Sequence, residues 1–230
     1  RIFAEGPLCW KKEKVVREYS IYPQRPIVVD QERTKTIGYF GDSFCANSIS
    51  DKSWCNILAK KLGCGTITHW GVGGTSLWTM LLTFQKLLDQ NKLPFYIVIF
   101  YTHPDRIYHP NKLLPLWATE EKSETELEKA TDLYIKHLDF KEKNAFQFMS
   151  AIQWFDQNIL SKLESKHKIV QAFSFEHPGF DLASGKILAE PMMPTYLKNK
   201  ENGCKDEDLY NHLTPEQNIK MADKLVNMLT

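Results

Sequence analysis

Gly41-Asp42-Ser43 closes an apolar run, and Asp208-Leu209-Tyr210-Asn211-His212 stands near the other end of the chain. A serine hydroxyl is a weak nucleophile until a base within hydrogen-bond reach takes its proton. An imidazole such as His212 can be that base, and a carboxylate such as Asp208 can hold the ring in the working tautomer. The chemistry these groups would do together is acyl transfer through a covalent serine intermediate. That chemistry also needs donors aimed at the developing oxyanion. Gly71-Val72-Gly73-Gly74 offers a turn whose backbone can approach closely, and the N–H groups of Ser43 and Gly74 are the expected donors. The competing reading of Gly-Asp-Ser is an ordinary strand-to-helix corner.

Four strands and a set of helices must bring these groups to one rim. Apolar runs at 34–40, 65–70, 95–101 and 168–175 read as strands, and the run 95–101 is continuous, as in a parallel sheet covered on both faces. The segment 51–63 reads as a helix with Trp54, Ile57, Leu58 and Leu62 on one face and Gly63 as its stop. In 75–90, Leu77, Met80, Leu81, Phe84 and Leu88 repeat at helical spacing. A third helix is expected from a capping box at Ser123 and Glu126, with Leu127, Ala130, Tyr134 and Leu138 in register. Phe148, Ile152, Phe155, Ile159 and Leu163 form the stripe of a fourth. The last is capped by Thr214, Pro215 and Gln217 and is expected to bury Ile219, Ala222, Val226 and Leu229.

Strands spaced by helices imply right-handed crossovers and a three-layer α/β/α sandwich, flavodoxin-like, with a mainly parallel sheet. In such sheets functional groups gather beyond the carboxyl ends of the strands. Ser43, the glycine turn and Thr102-His103-Pro104-Asp105-Arg106 all fall at such ends, and the His212 loop precedes the last helix. Residues 35–230 read as the catalytic domain. Residues 1–34 read as an extension packed on it, because Trp10, Tyr19, Ile21 and Tyr22 are costly to leave exposed together.

With these motifs in order, the chain resembles the SGNH/GDSL hydrolases. "FGDSF" is similar to that family's first block, which implies Ser43 as nucleophile. "WGVGGTS" is similar to the second, whose glycine donates to the oxyanion; Gly74 fits best, with Gly73 one step away. "DLYNHLTPEQN" is similar to the last, which carries the catalytic acid and base. Two departures stand out. His103 falls where the third block usually has an oxyanion-binding Asn, so His103 is the expected replacement, with Arg106 as second candidate. Asp208 lies four residues before His212 instead of the usual three, which leaves Asp206 and Glu207 as alternatives. The resemblance implies a serine esterase with no cofactor, acting on a small-molecule or glycan ester. An O-acetyltransferase with the same triad and a non-catalytic glycan-binding protein are the alternatives. Asp42, Arg106 and Trp117 are expected substrate contacts, and the Tyr-, Trp- and Pro-rich stretch 106–122, Phe180 and the 191–197 stretch are candidate pocket walls.

Composition narrows the partners. A formal net charge of +1 over 230 residues argues against nucleic acid as the main partner. No apolar run reaches the ~18–20 residues of a membrane span. The five cysteines match no zinc or disulfide spacing, and free thiols favour a reducing compartment such as the cytoplasm. The histidines show no metal-ligand spacing.

Overall fold

The structure, a computed structural model, describes residues 27–28, 35–46, 50–109, 125–175, 179 and 181–230. Its sheet has six strands in the order β1-β3-β2-β4-β5-β6. These are β1 (Ile27–Val28), β2 (Thr36–Ala46), β3 (Thr66–Gly71), β4 (Tyr96–Tyr101), β5 (Lys168–Phe173) and β6 (Lys186–Leu188). The last five are parallel to one another, and the edge strand β1 lies antiparallel on β3. The helices are α1 (Trp54–Lys61), α2 (Leu77–Asp89), α3 (Glu126–His137), α4 (Lys141–Asn158), α5 (Met193–Glu201) and α6 (Pro215–Leu229). The sheet takes in Ile27 and Val28, upstream of the expected domain start at 35.

The strand period of two divides the interior into two cores. Ile37, Tyr39, Val98, Phe100, Val170 and Ala172 face one side, against Trp54 and Leu58 of α1 and Ala222, Leu225 and Leu229 of α6. Phe40, Ile97, Ile99, Tyr101 and Phe173 face the other, against Met80 and Phe84 of α2 and Phe148, Ile152 and Phe155 of α4. Every residue of β4 is buried, as its continuous apolar run requires. Full burial of each such side chain stabilises the fold by roughly 1.5–3 kcal/mol.

Three details differ from the expectations. The capping box of α3 is formed by Thr125 and Glu128, not by Ser123 and Glu126: the Thr125 side chain accepts from the Glu128 N–H, and the Glu128 carboxylate accepts from the Thr125 N–H. Ser123 lies outside the described residues. Leu138 is exposed, and Thr131 is the buried residue of α3; its hydroxyl donates to the Leu127 carbonyl at 2.8 Å. On α6 the buried face is turned by one residue. Ile219 is exposed and Asn218 is fully buried, because the Asn218 side chain has four backbone partners to satisfy.

Strand β2 does not stop before Gly-Asp-Ser. Gly41 and Ala46 both pair with Gly71, so residues 42–45 are looped out of the ladder between them. A bulge of this kind re-aims side chains, and here it lifts Ser43 off the sheet. Two glycines permit it. A Cβ on Gly71 would meet the Cys45 carbonyl oxygen at 2.6 Å, and one on Gly41, at φ +143°, would meet the Phe100 carbonyl oxygen at 2.3 Å. Gly41→Ala should therefore lower stability by more than about 2 kcal/mol, read as a fall in Tm of about 4 °C or more. An unchanged melting temperature would show that the bulge can move aside.

Candidate active site

The His212 loop is built before its side chain matters. Tyr210 and Leu213 exchange both backbone hydrogen bonds, at 2.9 and 3.0 Å, closing a two-residue hairpin. The two residues between them, Asn211 and His212, have φ of 50° and 67°. Left-handed backbone at both central positions is the type I′ requirement, which Asn tolerates and His does not favour. The strain is held by side chains. Asn218 of α6 accepts from the Trp54 N–H at 2.7 Å and faces the Tyr210, Leu213 and Thr214 carbonyls at 2.9–3.0 Å. The Asn211 amide donates to the carbonyls of Ser43 and Ala46 at 3.2 and 2.9 Å and accepts from Ser53 Oγ at 2.5 Å. One turn is thereby tied to both sides of the β2 bulge.

The result is a direct meeting of the two expected groups. His212 Nε2 lies 2.7 Å from Ser43 Oγ, across 169 positions of sequence. Burial lowers the His212 pKa below its ordinary 6.5, and the Asp206 charge opposes that shift. Asp208 sits exposed in the short helical turn Asp206–Asp208. Among the described residues no carboxylate hydrogen-bonds the His212 ring. The acid whose field reaches the ring is Asp206, one of the alternatives to Asp208.

Asp42, expected as a substrate contact, is placed beneath the bulge instead. It is 3% exposed. Its Oδ1 accepts from the Phe44 N–H at 3.1 Å and from Ser174 Oγ at 2.8 Å. These bonds fix the turn that carries Ser43. The Trp54 indole N–H braces the next peptide, donating to the Phe44 carbonyl at 2.9 Å.

The glycine turn also borders the serine. The Thr75 N–H donates to the Val72 carbonyl at 3.1 Å, and Gly74 at φ 76° is the left-handed residue a type II turn needs. Gly73 abuts Ser43: a Cβ on it would lie 3.6 Å from that of Ser43. His103 Nδ1 accepts the Asp105 N–H at 3.2 Å and lies 3.8 Å from the Asp105 carboxylate; in a neutral ring the first contact leaves the proton on Nε2. An edge-to-face run links it to the pair, from His103 to Phe175 at 4.9 Å and from Phe175 to Phe44 at 6.4 Å between centroids. Arg106 lines a cavity of about 350 Å³ with Leu77, Trp78, Tyr108, Tyr134 and Phe148, and its buried Nε has no hydrogen-bond partner among the described residues. Asn144 of α4 anchors this loop by donating to Asp105 at 3.2 Å and to Asp139 at 2.5 Å. Trp117, Phe180 and the stretch 110–122 lie outside the described residues. Among the described residues, no group of three or more His, Cys, Asp and Glu side chains is disposed to hold a metal ion.

Sequence reasoning missed Asn211, Asn218 and Ser174, and named Tyr196 only within the 191–197 stretch as a pocket wall.

No protein-family model matches the chain, and no curated protein does. Among solved structures it is similar to a protein assigned to the G-D-S-L lipolytic family from Desulfitobacterium hafniense DCB-2, with 13% identity over 85% of this chain and 99% of that one, at a TM-score of 0.42. A member of the same family from Veillonella parvula DSM 2008 has 13% identity over 84% and 97%, at 0.44. A protein assigned as an arylesterase from Agrobacterium tumefaciens C58 has 16% identity over 84% and 97%, at 0.39.

The Asp42 carboxyl yields a stability prediction. Burial raises its pKa from 3.8 to about 6, against the pull of the Phe44 N–H, the Ser174 and Thr102 hydroxyls and the Arg106 charge. A folded value above the unfolded one contributes stability that is fully present below about pH 4 and lost as pH rises through about 6. Asp42→Asn keeps an acceptor for Phe44 and Ser174. It should melt above wild type at neutral pH, by up to about 3 kcal/mol, with the gap closing below about pH 4. Melting at or below wild type throughout would overturn this account.

Proposed function

We propose that the protein is a serine esterase that cleaves a carboxylic ester through an acyl-serine intermediate. One observation carries the proposal: the 2.7 Å approach of His212 Nε2 to Ser43 Oγ, within the range a general base needs to take the hydroxyl proton. Ser43 Oγ attacks the ester carbonyl carbon as His212 Nε2 takes its proton. The carbonyl π electrons move to oxygen, which becomes the oxyanion. When the intermediate collapses, the ester C–O bond breaks and the alcohol leaves with the proton from His212. Water then attacks the acyl-serine with His212 again as base, releasing the carboxylic acid and restoring Ser43.

The backbone N–H groups of Ser43 and Gly74 and the Nε2–H of His103 are the proposed oxyanion donors. The His103 tautomer set by the Asp105 N–H supports the third. Arg106 and the cavity beside it are the proposed substrate contact, because a half-buried guanidinium that lines a cavity is available to a polar group of the substrate. The lipolytic and esterase assignments of the similar structures agree with this reading.

A fluorophosphonate probe tests it. Wild type should label covalently and Ser43→Ala should not; labelling that persists in Ser43→Ala sinks the proposal. The pH profile adds a second check. His212 must be neutral to accept a proton, and burial holds its pKa below 6.5. The labelling rate should therefore climb with pH, level off, and have its midpoint below 6.5. His103→Ala should cut the rate by about tenfold to a thousandfold if the ring donates to the oxyanion; an unaltered rate returns His103 to a structural role.

A further inference from the structure

His212 is held in an unusual way for a base. Its ring sits between two aromatic rings, Phe44 at 4.6 Å and Tyr196 at 4.7 Å between centroids, tilted by 54° and 68°. Phe44 comes from the β2 bulge and Tyr196 from α5, so the two rings reach the imidazole from different elements. The Tyr196 hydroxyl donates to Asp206 Oδ1 at 3.1 Å, and Lys200, one turn further along α5, meets Asp206 Oδ2 at 3.2 Å. On the backbone side, the His212 carbonyl accepts from Asn199 of α5 at 3.3 Å. The charged and titratable groups around the ring are thus Ser43, Tyr196, Lys200 and Asp206. The carboxylate nearest in influence spends its two oxygens on Tyr196 and Lys200.

We propose that Tyr196 is the positioning residue of His212: its ring pins the imidazole against Phe44, and its hydroxyl fixes Asp206 as a charge that acts on the base from a distance. This rests on the serine-esterase reading above. A triad carboxylate does two jobs, orienting the ring and stabilising its charged form. Here the jobs are separated. Aromatic contacts, which prefer tilted geometries, set the orientation. Asp206, held by a tyrosine and a lysine, supplies the field.

The test measures the rate of fluorophosphonate labelling of Ser43 against pH in the full chain, for Tyr196→Phe, Tyr196→Leu, Asp206→Asn and Asp208→Asn, with thermal melts as the folding control. Asp206→Asn should slow labelling by less than about tenfold, where loss of a hydrogen-bonded triad carboxylate costs about ten-thousandfold. It should also move the rising limb to lower pH, because the charge that raises His212 is gone. Tyr196→Leu should slow labelling by about tenfold to a hundredfold through misplacement of the base. Tyr196→Phe should recover most of that loss, since the ring remains, while its limb moves in the same sense as that of Asp206→Asn.

A ten-thousandfold loss in Asp206→Asn or Asp208→Asn would overturn the proposal in favour of a conventional triad. So would equal rates in wild type and Tyr196→Leu, or no recovery in Tyr196→Phe. Should Tyr196→Leu melt without cooperativity, the Tyr196→Phe limb decides, and an unmoved limb overturns the proposal. Failure of the esterase reading is distinct from all of these: wild type itself would not label at Ser43.

Discussion

The Asn218 side chain is the constraint on which the arrangement depends. It is fully buried and joins the start of α1 to three carbonyls of the turn that presents His212. An apolar residue there would leave the buried Trp54 N–H without its partner, at about 1–3 kcal/mol. Because Trp54 also braces the peptide after Ser43, one helix N-terminus serves as common ground for the serine and the imidazole. Two groups far apart in sequence are set to hydrogen-bond distance by a junction that is itself satisfied.

The local backbone is costly at both partners. His212 occupies a left-handed position that favours glycine, and Ser43 rides on residues expelled from a strand ladder. Such conformations persist only where the surroundings over-determine them. The surroundings here are Asn211, Asn218, Asp42, Ser174 and the rings of Phe44 and Tyr196. Several of these polar groups are buried and satisfied by the site alone, so the fold carries them for the sake of the geometry they impose.

The layers and most of the site were legible because they depend on local pattern. The continuous apolar run of β4, the Phe148-Ile152-Phe155 stripe and the Thr214-Pro215-Gln217 cap each have a single physical meaning. The meeting of Ser43 with His212 was legible because one ends an apolar run and the other stands just before a helix cap. Tyr196 was not, since a tyrosine in a polar helix has no pattern to mark it, and its contact with His212 exists only once α5 folds over the hairpin. Asp208 was preferred over Asp206 by spacing alone, and spacing does not show that Asp206 is the one tied to Tyr196 and Lys200. Asp42 was read as a substrate contact because it adjoins Ser43, yet its carboxyl turns inward to the Phe44 N–H and Ser174. Ile219 misled because amphipathic spacing cannot foresee a buried amide.

The division of the interior into two cores has a consequence for how such a protein can change. The Ser43–His212 meeting is built on β2, α1 and α6, which pack in one core. The loop of His103 to Arg106 and the cavity beside it lean on α2 and α4, through Leu77, Phe148 and the Asn144 anchor, in the other. Exchanges among the side chains of α2 and α4 therefore bear first on the shape of the cavity, and those of α1 and α6 on the reactive pair.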